Sequence, residues 1–170
     1  MARKKSASTA AIAKLSDAGL PYTVHSFETH SQHFGAEAAE YLQQELHITP
    51  DRVFKTLLVD LTAGKGTRRA LGVCCLPVTA SLSLKKAAKA HGVSKVTMAD
   101  PKLAERSSGY VVGGISPIAQ KTALPTVVDA SAELHETVFV SGGKRGLDVE
   151  LTAATLIDAT NAQLADLLAD

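Results

Sequence analysis

The sequence predicts an α/β (α+β) fold in which a mixed, barrel-like β-sheet is surrounded by helices. Three observations point there. The strand segments outnumber what a doubly wound sheet needs, they come in runs without a helix after each one, and the helical segments between the runs carry clear start and stop residues. At 170 residues the chain has the size of one domain with a single core, and residues 1–170 contain no repeat, low-complexity segment or long linker.

The elements follow in order. Ser8 to Ala18 reads as a helix with Ile12 and Leu15 on one face, ended by Gly19 and Pro21. Tyr22 to Phe27 alternates as a strand. After Gly35, Ala36 to Leu46 is helical, with Ala38, Ala39 and Leu42 spaced for burial. Phe54 to Leu61 and Arg69 to Leu76 read as strands joined by the turn Ala63-Gly64-Lys65-Gly66-Thr67. Ser83 to His91 forms a helix stopped by Gly92, with Leu84, Ala87 and Ala88 inward and Lys85, Lys86 and Lys89 outward. Asp100 caps a short helix, with Pro101 at its first position, that runs to Arg106. Strands at Thr126 to Asp129, Thr137 to Ser141 and Leu147 to Leu151 come next. Thr152 caps a helix, and Asn161 caps a last one ending near Leu168.

Composition narrows the class of protein. Hydrophobic residues make up 45% and charged residues 21%, the profile of a folded soluble chain. No apolar run approaches the roughly 18–20 residues of a membrane helix, so no membrane partner is expected. Arg3, Lys4 and Lys5 precede an apolar stretch interrupted by Lys14 and Asp17, which suits neither a secretory signal nor, as well as it suits a cytoplasmic protein, a transit peptide. The net charge of +1 is unevenly spread: residues 51–121 carry a net +8, against −1 before them and −6 after. Gathered on one face, these cations would follow a polyanion; spread out, they are ordinary solvated charges.

Candidate chemistry is concentrated in a few places. Lys55 interrupts the otherwise apolar Val53-Phe54-Lys55-Thr56-Leu57-Leu58-Val59, and alternation sets it with Leu57 and Val59, opposite Phe54 and Thr56. A lysine facing a core or cleft needs a partner or water, because burying an unpaired ammonium is costly. It either snorkels to the rim or holds an anionic or carbonyl group. Two glycine-rich stretches, 107–117 and 141–148, permit close backbone approach by a ligand, and are equally compatible with plain turns. Neither is a phosphate-binding or dinucleotide fingerprint, so no cofactor is expected. His25, His30 and His33 cluster without an acidic third ligand or a zinc-type spacing, so no metal is expected; His30, Phe34 and Gly35 instead shape a loop, with Glu28, beside a pocket. Adjacent Cys74 and Cys75 point to opposite faces of a strand and read as buried free thiols. No nucleophile elbow is present, and Ser116 precedes Pro117, which favours an extended turn. A hydrolase built from these residues would act by positioning and electrostatics.

Five segments in this order, His33-Phe34-Gly35-Ala36-Glu37-Ala38-Ala39, Val53-Phe54-Lys55-Thr56-Leu57, Leu84-Lys85-Lys86-Ala87-Ala88, Gly109 through Pro117, and Ser141-Gly142-Gly143-Lys144-Arg145-Gly146, resemble the YbaK/EbsC family, in its Cys-tRNA(Pro) deacylase branch. The likeness runs from about residue 10 to 165. It implies a prolyl-tRNA synthetase editing-domain-like fold and trans-editing hydrolysis of Cys-tRNA(Pro), with the aminoacylated tRNA as substrate and prolyl-tRNA synthetase as a partner. A pocket separates cysteine from proline poorly, which makes a second hydrolytic check useful. The resemblance makes Lys55 the central residue, orienting the aminoacylated 3′ end. It sets Gly113 and Gly114 in the loop facing the scissile carbonyl, and Asp148 at a polar position nearby; Lys55, Gly113 and Asp148 are its catalytic set. Phe27, His30, Phe34, Thr56, Gly114, Ile115 and Ser141 fall to substrate binding. Phe27 stands where relatives have tyrosine, and Ala119 replaces a glycine of the Gly-Gly-Ile-Ser-Pro-x-Gly-Gln-Lys pattern. The missing protein nucleophile suits a mechanism in which the substrate's own thiol attacks its ester. Deacylation of Ala-tRNA(Pro) or other mischarged tRNAs by an activated water, and tRNA binding without turnover, remain open alternatives at this point.

Overall fold

The computed structural model describes residues 9–29 and 34–170. Helix α1 (Ala10–Asp17) starts at Thr9, whose hydroxyl accepts the Ile12 amide, and ends at Gly19 in the left-handed region. Strand β1 (Thr23–Ser26) leads to helix α2 (Phe34–Leu46) and a short 3-10 turn, Pro50–Arg52. Strands β2 (Phe54–Asp60) and β3 (Leu71–Pro77) form an antiparallel pair. Helix α3 (Leu84–His91), the two-residue strand β4 (Thr97–Met98) and helix α4 (Pro101–Ser108) precede strand β5 (Thr126–Asp129). Strands β6 (Val138–Lys144) and β7 (Leu147–Leu151), helix α5 (Ala153–Thr160) and strand β8 (Gln163–Ala165) complete the order. Among the described residues no helix is long and apolar enough to cross a membrane.

The strands divide into two open sheets. One has the order β4-β2-β3-β5-β8, antiparallel through β3 and parallel from β3 to β5 to β8; the other is the antiparallel set β1-β7-β6. The expected barrel-like sheet is therefore corrected to a mixed α+β arrangement. Between the two sheets the ladder is reduced to an isolated bridge, Val53 to Phe139, so each sheet keeps its own edges and no continuous pairing closes a cylinder.

Burial follows the alternation of the strands. Cys75 joins Phe54, Val128, Val140, Val149 and Leu156 in a core that α1 covers with Ala11 and Leu15. Its neighbour Cys74 points the other way, into a second cluster with Val59, Ala87, Ala88, Val96 and Leu167. Both thiols are free, as expected for adjacent residues on opposite faces. Leu84, expected inward, is 41% exposed. It is the first residue of α3, beyond the stretch that Ala87 and Ala88 seal against the sheet.

The C-terminal segment also departs from expectation. Asn161 does not cap a new helix; it ends α5 in the left-handed conformation, φ 61°, and its amide donates to the Ile157 carbonyl. The chain then pairs as β8 beside β5. Asn tolerates both N-cap and left-handed C-cap positions, so its identity alone does not choose between them. Tertiary pairing of Leu164 with Val128 decides the matter.

The β6–β7 hairpin carries a bulge: Ser141 pairs with Asp148 but the next pair is Lys144 with Leu147. Gly142 and Gly143 absorb the extra length. Gly146 in its turn has φ +82°, and a Cβ there would lie 2.4 Å from the Phe27 carbonyl oxygen. Gly146→Ala is accordingly expected to destabilise the protein by about 2 kcal/mol or more, read as a lower urea midpoint with unchanged slope.

Candidate functional site

The chain surrounds a cleft of about 420 Å³ with walls from four regions. Strand β2 supplies Phe54 to Leu58; β4 and α4 supply Met98, Ala99, Pro101 and Ala104. The loop after α4 gives Val112, Gly113 and Ile115, and the β6–β7 hairpin gives Ser141, Lys144, Gly146 and Asp148. Phe27 closes one end, its ring stacked on Tyr41 at 5.2 Å.

Two close backbone contacts hold this arrangement. The loop at 109–121 is pinched shut by bonds from the Lys121 and Thr122 amides to the Ser108 and Ser107 carbonyls. Tyr110 donates its hydroxyl proton to the Ile118 carbonyl at 2.7 Å from beneath. Gly114 then meets the hairpin so closely that a Cβ would lie 2.7 Å from the Lys144 Cα. Three side chains rivet the contact. Ser141 donates to the Gly114 carbonyl at 3.0 Å, Arg145 donates to the Val112 carbonyl, and Glu105 of α4 accepts the Val112 amide at 2.8 Å. Thr9 at the head of α1 donates to the Gly142 carbonyl and anchors the bulge from the other side.

Seven of the sequence-derived site residues line the cleft: Phe27, Lys55, Thr56, Gly113, Ile115, Ser141 and Asp148. Gly114 sits behind the lining, where its amide donates to the Val111 carbonyl and its missing side chain admits the hairpin. Phe34 opens α2, but its side chain, like all of His30, lies outside the described residues. His33 does also, while His25, opposite Asp148 in the β1–β7 ladder, pairs its Nε2 with Glu150 Oε1 at 2.9 Å. Lining residues that the sequence did not assign to the site include Lys144, Met98, Pro101 and Val112. A cation in the tight Gly-Gly-Lys-Arg-Gly turn was a usable sign for Lys144; the three apolar residues carried none.

The polar groups of the cleft are set in unusual surroundings. Lys55 is partly buried, and its ammonium donates to the Ala80 carbonyl at 2.7 Å, with no carboxylate partner among the described residues. Burial lowers its pKa. Asp148 lies on β7, the central strand of its sheet, and is only 7% exposed. Its carboxyl has no hydrogen-bond partner among the described residues, and burial pushes its pKa up to about 7. Thr56 Oγ1 is buried without a regular hydrogen bond, facing across the ladder the Cys75 thiol, a weak sulfur partner.

Apart from Thr56, the nearby hydroxyls are engaged with the backbone, and the thiols are held protonated. Ser141 Oγ, besides donating to Gly114, accepts the Gly143 amide at 3.1 Å. Ser116 is fully buried and accepts the Ile118 amide. Burial holds both cysteine thiols up at about 12, far from a reactive thiolate. What the cleft offers is a cation, a carboxyl that titrates near neutrality and a glycine loop with exposed backbone.

Asp148 also sets a pH dependence of stability. The native state holds its proton between about pH 4 and pH 7, where the unfolded chain has released it, so stability falls as pH rises through that window. The loss amounts to about 4 kcal/mol at most. Asp148→Asn is expected to flatten this decline, so that the variant gains on the wild type in urea denaturation as pH rises from 4 to 7.

Residues 33–159 match the family described as the aminoacyl-tRNA editing domain. An Enterococcus faecalis protein provisionally named Cys-tRNA(Pro)/Cys-tRNA(Cys) deacylase EbsC is 36% identical over 168 residues, 98% of each chain. The fold matches the crystal structure of a protein provisionally described as a trans-editing enzyme for prolyl-tRNA synthetase, with a TM-score of 0.77 and 23% identity across 93% of this chain and 94% of that one. It also matches the structure of a hypothetical protein, with a TM-score of 0.79 and 23% identity across 94% and 99% of the two chains. At that identity these structures speak for the fold; the family assignment rests on the sequence matches. The chain belongs to the aminoacyl-tRNA editing-domain family and is a deacylase of mischarged tRNA.

Proposed function

We propose that the substrate is Cys-tRNA(Pro) and that its own thiol performs the first displacement. The observation that carries this reading is the cleft's combination of a cation, Lys55, and a near-neutral acid, Asp148, while among the described residues no hydroxyl or thiol beside it is hydrogen-bonded to a base that could activate it. The sulfur of the esterified cysteine attacks its carbonyl carbon, a C–S bond forms, and the C–O bond to the terminal ribose breaks. A cyclic thiolactone leaves, and the thiol proton ends on the ribose oxygen. Asp148, titrating near the working pH, fits the role of taking that proton and passing it on. Lys55 and the backbone around Gly113 supply positive charge and donors where negative charge grows on the carbonyl oxygen. Phe27, Thr56, Ile115 and Ser141 shape the pocket around the aminoacyl group. The name of the E. faecalis relative agrees with cysteine as the amino acid.

In this reading a complex with prolyl-tRNA synthetase brings the correct tRNA, in line with the description of one structural relative. A water-dependent deacylase of Ala-tRNA(Pro) is the second reading, favoured by the same carboxyl, since a group with a pKa of about 7 can also activate a water.

Lys55→Ala is expected to slow Cys-tRNA(Pro) deacylation by about 10²–10³-fold in single-turnover assays; undiminished activity removes the central residue of the proposal. The wild type is expected to turn over cysteinyl esters well and alanyl or seryl esters poorly. A preference for Ala-tRNA(Pro) decides for the activated-water reading. Cys74→Ala and Cys75→Ala are expected to leave the rate within a few-fold of wild type, because neither thiol ionises near neutrality.

A further inference from the structure

The cleft is lined by an unbroken run of β2, Phe54 to Leu58. A cavity over one face of a strand meets every second residue, because side chains alternate; a continuous run places the cavity along the strand's edge. The pairing of β2 shows which edge this is. The Val78 amide donates to the Val53 carbonyl at 2.8 Å and the Leu61 amide to the Ala70 carbonyl at 2.7 Å, at the two ends of an unshifted register with β3. In an antiparallel ladder the N–H and C=O of one residue point to the same side, and successive residues alternate. Val53, Lys55, Leu57, Val59 and Leu61 therefore bond β3, while Phe54, Thr56, Leu58 and Asp60 turn their backbone groups to the opposite edge.

On that edge the ladders stop short of Thr56. Strand β4 pairs with Val59 and Asp60, and the Ala99 amide reaches the Leu58 carbonyl at 3.1 Å before the chain leaves into α4. From the other end, β6 meets this segment only at the isolated parallel bridge between Val53 and Phe139. Among the described residues no ladder covers Thr56 between these two points. Its N–H and C=O thus lie side by side on the stretch of edge that the cleft follows, where Met98, Ala99 and Ser141 are also part of the wall. An uncovered strand edge is a template for the main chain of another molecule, held by backbone hydrogen bonds.

We propose that the aminoacyl group of the substrate pairs with Thr56 as a single strand residue would: its amino group donates to the Thr56 carbonyl, and its ester carbonyl accepts the Thr56 N–H. The proposal rests on the tRNA-deacylase reading of the cleft. An aminoacyl ester has the main chain of one residue, enough for the two bonds that a hydrogen-bonded antiparallel pair exchanges. The Thr56 N–H thereby becomes a further donor to the oxygen on which negative charge grows. Residues directly opposite one another carry their side chains on the same face. An L-aminoacyl group then turns its side chain to the face shared by Thr56, Phe54 and Leu58, whereas a D-aminoacyl group turns it to the face of Lys55. The pairing reads main-chain atoms alone. It fixes handedness and the need for a free amino group, and leaves the choice of side chain to the rest of the cleft.

The test compares single-turnover rates on L-cysteinyl-tRNA, D-cysteinyl-tRNA and the 3-mercaptopropionyl ester of tRNA, which keeps thiol and ester and lacks the amino group. In the wild type the D-ester and the desamino ester are each expected to react about 10–100-fold more slowly than the L-ester, the effect of losing one such bond. Two variants remove the Thr56 N–H. Thr56→Pro is compared with Thr56→Ala, which keeps the N–H; proline is tolerated on an edge where its nitrogen faces away from the ladder. Replacement of Thr56 by its α-hydroxy analogue, with an ester oxygen in place of the N–H, is compared with wild type and removes the same donor without the ring. Each is expected to slow the L-ester by about 10²–10³-fold against its reference and to bring the L and D rates to within a few-fold of each other. A purely structural loss would slow both esters alike and preserve their ratio. Retention of the wild-type L/D ratio in the α-hydroxy variant, equal L and D rates in the wild type, or a desamino ester cleaved as fast as the cysteinyl ester would each overturn the proposal. Turnover of alanyl rather than cysteinyl esters would count against the thiol mechanism alone, and the same comparisons on L- and D-alanyl-tRNA then decide the pairing.

Discussion

The contact between Gly114 and the backbone of Lys144 is the constraint on which the cleft depends. Two irregular segments, the 109–121 loop and the bulged β6–β7 turn, approach to a distance that no side chain at Gly114 would allow. Ser141, Arg145 and Glu105 fix that approach with hydrogen bonds to the loop's own backbone. Gly113, Ile115, Ser141, Lys144 and Asp148 all take their places in the wall from this one juxtaposition. The cleft is thus a product of backbone fit more than of side-chain packing, and this explains why glycine recurs at its margins.

The polar groups placed there are poorly suited to stability and well suited to chemistry. Asp148 occupies the middle of a three-stranded sheet with no partner for its carboxyl among the described residues, and Lys55 sits partly desolvated with a neutral carbonyl as its partner. Each environment favours the uncharged form over the charged one. Perturbed groups gathered in a cleft are a recurring mark of functional sites. Ala119 adds a smaller strain, since it takes φ 57°, a region that alanine adopts reluctantly. Its loop is nonetheless held in place by Tyr110 and by the Gln120 side chain, which donates to the Ser116 carbonyl.

Much of the secondary structure was legible in the chain because local chemistry specifies it. Thr9, Ser83, Asp100 and Thr152 cap the helices as side-chain acceptors, and Gly19, Gly92 and Gly109 end them with positive φ. The exceptions are instructive. Asn161 had two locally acceptable roles, and the pairing of β8 with β5 chose between them. Strand β4, only two residues long, has no local pattern and exists through its ladder with β2. The site was legible in part: Lys55 was conspicuous as a charge in an apolar strand, and Lys144 could have been noticed within its glycine turn. Met98, Pro101 and Val112 look like any apolar residues until the fold sets them around one space.

By itself, the sequence determined the elements, the opposed burial of Cys74 and Cys75, the absence of a standard nucleophile motif and the membership of an editing-domain family. Each of these is carried by neighbouring residues or by recurrent motifs along the chain. Only the tertiary structure decided that the sheets stay open and that Gly114 packs behind the wall while Gly113 lines it. It also decided that Asp148 is buried, with no partner for its carboxyl among the described residues. The physical reason is common to all of these: they depend on distances between segments far apart in sequence, and both dielectric environment and steric fit are set by what other segments bring alongside.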